Sequence, residues 1–136
     1  MTTSTKTPVQ IIQELIAVHS TRKEVAEKMM AQEPVGDMKE RLLPAQKQSD
    51  EFIAALMSEL SNYGDGVSPM VERDNEYQRA WKDALGKVDA ASQEELQEIF
   101  MDLENKLKKF YEEVLASQAD LPLPIEEMIK KQSSTL

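Results

Sequence analysis

The sequence predicts an all-α protein, a four-helix bundle with a short C-terminal fifth helix. Three observations carry this. The 136 residues include only 4 Gly and 6 Pro, gathered at a few points, so long stretches run without a helix breaker. Four of those stretches repeat apolar residues at i, i+3 and i+4, the spacing of one helix face, and nothing in the chain reads as a strand. Hydrophobic residues make up 40%, enough for a single core in a chain of one-domain size.

The first helix opens with Thr7 as N-cap and Pro8 at the first helical position. Ile12, Leu15, Ile16, His19, Ala26, Met29 and Met30 then share a face, and Pro34 and Gly36 end the run. The second helix starts at Asp37, with Glu40 three residues on in a capping-box arrangement. Its stripe is Met38, Leu42, Ala45, Ser49, Phe52, Ile53, Leu56 and Leu60. Pro44 falls inside that run, where it removes a backbone donor and crowds the preceding turn, so a kink in one continuous helix is predicted. Gly64, Gly66 and Pro69 then break the chain.

The third helix places Met70, Asp74, Tyr77, Trp81, Ala84, Leu85 and Val88 on one face, and its polar first turns put the ordered start near Asp74. Ser92 and Glu95 form a second capping box. The fourth helix follows with Leu96, Ile99, Phe100, Leu103, Leu107, Phe110, Tyr111 and Val114, and "ADLPLP" stops it. A final short helix over residues 125–132 packs Ile125, Met128 and Ile129. Residues 8–132 thus read as one domain between flexible tails at 1–7 and 133–136. No segment repeats another at solenoid spacing.

Composition narrows the function. Cysteine is absent, which removes disulfides, thiolate metal sites and cysteine nucleophiles. The formal net charge of −9 repels a phosphate backbone, so nucleic acid is not an expected partner. The start "MTTSTKTPVQ" has no apolar run of signal-peptide length, and no stretch approaches a membrane span. The expectation is a cytoplasmic protein with no membrane and no nucleic-acid contact. No nucleophile–base pairing, phosphate loop or zinc spacing is present in the sequence, and no cofactor is expected.

The stretches "IIQELI", "QSDEFIAAL" with its following "EL" and "YG", "QRAW", "LENKLKKFYEEVL" and "LPLPIEEMIKKQ" occur in that order from about residue 9 to residue 132. In order and spacing the chain resembles a bacterial family with a ferritin-like four-helix bundle, catalogued as a domain of unknown function. The resemblance implies a ferritin-like bundle with a crossover between its second and third helices. By analogy with ferritin-like proteins it implies a role in stress physiology.

A ferritin-type di-metal centre needs a carboxylate from each of two helices and Glu-x-x-His from each of the others, because residues at i and i+3 point the same way. His19 is the chain's one histidine, and Ile16 stands three before it. Glu104 has Leu107 at its i+3, Glu51 has Ala54 and Glu24 has Glu27. The standard centre is therefore missing from the sequence, and no metal ligand is assigned. Hard ions accept oxygen ligands alone, so an all-carboxylate site near Glu104 stays open as the rival.

His19 lies mid-way along the first helix's apolar face, roughly level with Ser49, Tyr77 and Glu104. With Asp74 and Tyr111 these residues form a candidate buried polar layer, in which imidazole, hydroxyl and carboxylate groups satisfy one another. The eight methionines, Met29, Met30, Met38 and Met57 among them, read as core gap-filling, with a helix- or lipid-binding surface as a third possibility. The functional expectation is a non-enzymatic bundle acting through self-association or an unidentified protein partner. The alternative is a degenerate carboxylate-bridged oxidase or metal-storage protein. His19→Leu separates two kinds of layer by thermal melting. A layer that only specifies packing keeps or gains melting temperature, whereas a network that cannot be repacked loses it.

Overall fold

Thr7 fixes the start of the first helix. Its hydroxyl accepts from the Gln10 amide at 3.1 Å while the Gln10 side chain takes the Thr7 amide at 2.9 Å, so two otherwise orphaned donors are satisfied. In this computed structural model, residues 7–32, 37–63, 76–117 and 121–136 are described. They form five α-helices: α1 (Pro8–Ala31), α2 (Asp37–Leu60), α3 (Glu76–Leu85), α4 (Gln93–Ser117) and α5 (Leu123–Ser134). Short 3-10 turns at Ser61–Tyr63 and Val88–Ala90 complete them, and no strand occurs among the described residues. The predicted breakers Pro34, Gly36, Gly64, Gly66 and Pro69, the Asp37 cap, Met70 and Asp74 lie outside what is described.

Local chemistry explains most boundaries. The Ser92 hydroxyl accepts from the Glu95 amide and the Glu95 carboxylate from the Ser92 amide, each at 3.2 Å, which is the predicted capping box of α4. α2 continues through Pro44 as one helix. α3 stops at Leu85 because the chain turns at Gly86, so Val88 packs into the core from a 3-10 turn instead of extending the helical stripe. α5 runs further than its apolar spacing implied, starting at Leu123 and continuing through Ser134. Thr135 stays tied down, its carbonyl accepting from the Gln48 side chain at 3.1 Å, and Leu136 packs against the core.

The helices close into a ring. α1 packs along α2 on one side and α3 on the other, α4 lies against α3 and α5, and α5 closes against α2, the least intimate of these contacts. α1 and α4 face each other across the interior and meet mainly through long side chains. Every residue of α1 from Ile11 to His19 is buried, where the sequence suggested a single buried face. A helix buried all round needs apolar residues all round. Ile11, Val18 and Val25 supply them beyond the predicted stripe. At about 1.5–3 kcal/mol for each fully buried Ile, Leu or Val, this burial outweighs the roughly 1 kcal/mol of a terminal cap.

Helix directions follow from the contacts. α1 and α2 pack along each other and only residues 32–36 separate them in sequence, too few to run back along a 24-residue helix, so the two are antiparallel. Lys28 near the end of α1 donates to the carbonyl of Leu85 at the end of α3 (2.9 Å) and pairs with Asp89, which makes α3 parallel to α1 and antiparallel to α2. A full-length ferritin crossover would make α2 and α3 parallel. The observed directions differ from that expectation, while the all-helical class is as predicted.

Candidate functional site

Helix α1 brings two polar side chains into the ring one turn apart, His19 and Arg22, both with at most 2% of their surface exposed. A charge buried to that extent needs a countercharge and hydrogen bonds. Arg22 finds them in Glu104 of α4. Nε donates to Oε1 at 2.7 Å and Nη2 to Oε2 at 2.8 Å, a two-pronged fork that only a planar guanidinium can make. Its Nη1 donates to the Ser49 hydroxyl of α2 at 3.1 Å.

Ser49 passes the polarity on. Its hydroxyl lies 3.2 Å from His19 Nδ1, His19 Nε2 lies 2.7 Å from the Tyr111 hydroxyl, and that hydroxyl donates to Gln132 Oε1 at 2.7 Å. The Gln132 end sets the direction of the chain. Tyr111 has one proton and gives it to the amide oxygen, so its own oxygen accepts from His19 Nε2–H. The neutral imidazole then accepts at Nδ1 from the Ser49 hydroxyl, whose oxygen accepts from Arg22. The imidazole is neutral and carries its proton on Nε2. Burial pushes its pKa well below the usual 6.5, and the neighbouring Arg22 charge pushes the same way. Burial also raises the Tyr111 phenol far above its ordinary value, so this hydroxyl keeps its proton. Phe52 packs edge-on against the imidazole, with ring centroids 5.2 Å apart.

Of the residues expected in a polar layer, His19, Ser49, Glu104 and Tyr111 come together. Tyr77 does not join them. It stacks on Phe110 and donates to Glu113, a bond that, after burial, raises its own pKa. Asp74 lies outside the described residues. The sequence reading missed Arg22 and Gln132, which close the layer's two ends. A signal existed for Arg22. It stands one turn after His19, on the face turned inward, where a cation demands a partner.

Among the described residues no cluster of three or more His, Asp or Glu gathers to hold a metal. Glu104 is the carboxylate the rival reading depends on, and both its oxygens are occupied by Arg22. The pair also borders a small cleft of about 350 Å³ between α2 and α4, reached by Arg41 and Lys108. A longer groove, about 920 Å³, lies between α2 and α5. No described helix is long and apolar enough to cross a membrane. No family model, curated protein or solved structure matches this chain.

Replacing His19 by Leu strands the Ser49 hydroxyl hydrogen and removes a donor from Tyr111. At about 1–3 kcal/mol for each buried group left unmatched, the network arm of the melting test is the expected one, with a loss of roughly 2 kcal/mol. The Arg22–Glu104 pair makes a second test by urea unfolding. Glu104→Leu leaves a buried guanidinium uncompensated and is expected to cost about 3 kcal/mol, while Arg22→Met with Glu104→Leu recovers most of it. A double variant no more stable than Glu104→Leu would contradict the coupling. Acidification supplies a third. Below pH of about 6.5 the unfolded chain protonates its histidine and the folded chain does not, so stability falls as pH drops, by at most about 1.4 kcal/mol per unit, until His19 protonates within the fold. Urea midpoints at pH 7.5 and 5.5 measure this, and the difference is expected to shrink in His19→Leu.

Proposed function

We propose that this protein is a non-enzymatic acidic helical bundle that works through contacts of its outer faces, by self-association or by holding a partner. One observation carries the reading. Among the described residues, the interior side chains from Glu104 through Arg22, Ser49, His19 and Tyr111 to Gln132 engage one another in an unbroken series. Catalysis needs a base or nucleophile free to meet a substrate. Here the imidazole has both nitrogens engaged, and it is fully buried.

The ferritin-like element of the proposal rests on the sequence resemblance and on helices gathered around a central carboxylate. Glu104 would be the remnant of a metal-binding design in which the Arg22 guanidinium supplies the positive charge of a metal ion. The helix directions count against a close ferritin kinship, and the stress-related role follows from the resemblance alone. The rival metal-binding reading requires Arg22 to be displaced from both Glu104 oxygens.

Protein purified without chelators and then incubated with Fe(II) or Mn(II) decides between the two readings. Elemental analysis after desalting is expected to show far less than one ion per chain, and a stoichiometric signal would overturn the proposal. Size-exclusion with light scattering on the same sample then reports whether the outer faces pair two copies.

A further inference from the structure

The face that α2 and α5 present around their shared groove is complementary to itself. Thr135, at the end of α5, is bonded to Gln48, and the groove runs on from there along α2 to Glu59, so α5 lies antiparallel beside α2. Its lining mixes signs. Glu51 stands one turn from Lys47, Glu127 one turn from Lys131, and Glu59 lies at the far end. No ion pair among the described residues includes any of these five. A ligand carrying one sign of charge would meet both, so the groove does not select for it.

The charges nevertheless have an order. Lys47 and Glu59 are centred on residue 53 of α2, and Lys131 and Glu127 on residue 129 of α5. With Gln48 level with Thr135, residue 129 stands level with residue 54, so the two centres agree to about 1.5 Å. Phe52 and Ala55, which line the groove from α2, straddle the same level. Opposite charges at equal distances from one level are what a two-fold contact requires, because the axis lays each residue on its counterpart in the other copy. With that axis crossing the groove, α2 meets the second copy's α2 antiparallel. Lys47 then comes to Glu59, Phe52 to Ala55 and, on α5, Lys131 to Glu127, each of them twice. Glu51 is left over, and it lies within one residue of the level of Lys131 across its own groove.

An independent feature obeys the same axis. Leu123, set between Pro122 and Pro124, is 64% exposed, more than any other large apolar side chain among the described residues. The axis carries it to the level of Leu136. There the groove joins the smaller cleft beside Arg22, at Pro44, Gln48 and Thr135, which line both. We infer that this face pairs two copies of the chain antiparallel across a two-fold axis level with residues 53 and 54, each Leu123 seated on the other copy between Pro44 and Leu136. From Arg41 to Glu59 the face is about 27 Å long, and two packed helices make it roughly 20 Å wide. That buries on the order of 1,000 Å² over both copies, the lower bound for a specific interface and the size of a reversible one. The inference rests on the contact reading proposed above and commits it to self-association.

Sedimentation equilibrium of the full chain, from micromolar to millimolar concentration, tests it by charge exchange. The native chain is expected to dimerise reversibly. Two double variants, Lys47→Glu with Lys131→Glu and Glu59→Lys with Glu127→Lys, each set like charges against one another across the axis. Each is expected to weaken self-association at least tenfold with unchanged helical circular dichroism, since none of the four positions is buried. Mixed in equal amounts, the two variants are expected to form a heterodimer of native affinity. Both remain net acidic, so bulk attraction does not produce that result. Leu123→Asp is expected to weaken the native dimer at least tenfold. A native chain monomeric throughout, double variants that dimerise alone as the native chain does, a mixture no more associated than its parts, or an unaffected Leu123→Asp would each overturn the inference. A monomeric native chain sinks this pairing and leaves the contact reading to a partner, whereas a stoichiometric metal signal sinks the contact reading itself.

Discussion

A guanidinium enclosed by helices must be answered by a countercharge, and the arrangement of this bundle depends on Arg22 meeting Glu104. Separating the two would leave a buried charge unpaired, at a cost of several kcal/mol against a total stability of about 5–15 kcal/mol for a domain. The fork has a single geometry, so it sets the register of α4 against α1. The third donor of the same guanidinium fixes Ser49, and with it α2. Apolar packing alone tolerates sliding of one helix along another by a turn. A fork between opposite helices does not.

From that anchor the polarity runs outward without a break. Tyr111 gives its one proton to Gln132 and so accepts from His19 Nε2, which holds the neutral imidazole in one tautomer and turns its Nδ1 to the Ser49 hydroxyl. The same burial that keeps His19 neutral keeps Tyr111 protonated. These are the residue types of proton-transfer chemistry, yet each is consumed by its neighbour. Their combined effect is to bind α1, α2, α4 and α5 to one another. The ring's interior is thereby a fastening.

Much of the helical plan was legible along the chain. The capping box at Ser92 and Glu95 and the cap at Thr7 are local devices, complete within four residues, and both appear as read. The stripe of α4 is buried from Leu96 to Val114 apart from the half-buried Ile99. The reading failed where a neighbour decided. α1 looked amphipathic with one apolar face, but α2 and α3 flank it and α4 stands opposite, so Gln13, Glu14 and Thr21 are buried as well. Tyr77 sat at the expected height on its stripe and still missed the layer, because Phe110 and Glu113 were closer partners.

The sequence by itself determined the helices, their caps and the scarcity of imidazole that rules out a pair of Glu-x-x-His ligands, since each follows from spacing within a few residues. Tertiary structure alone decided that α3 runs parallel to α1, that Glu104 faces a guanidinium, and that Gln132 ends a hydrogen-bonded series begun 110 positions earlier at Arg22. The reason is physical. Periodicity tells which side of a helix avoids water, but a buried charge chooses its partner from whatever helix the fold sets opposite, and that choice has no local signature.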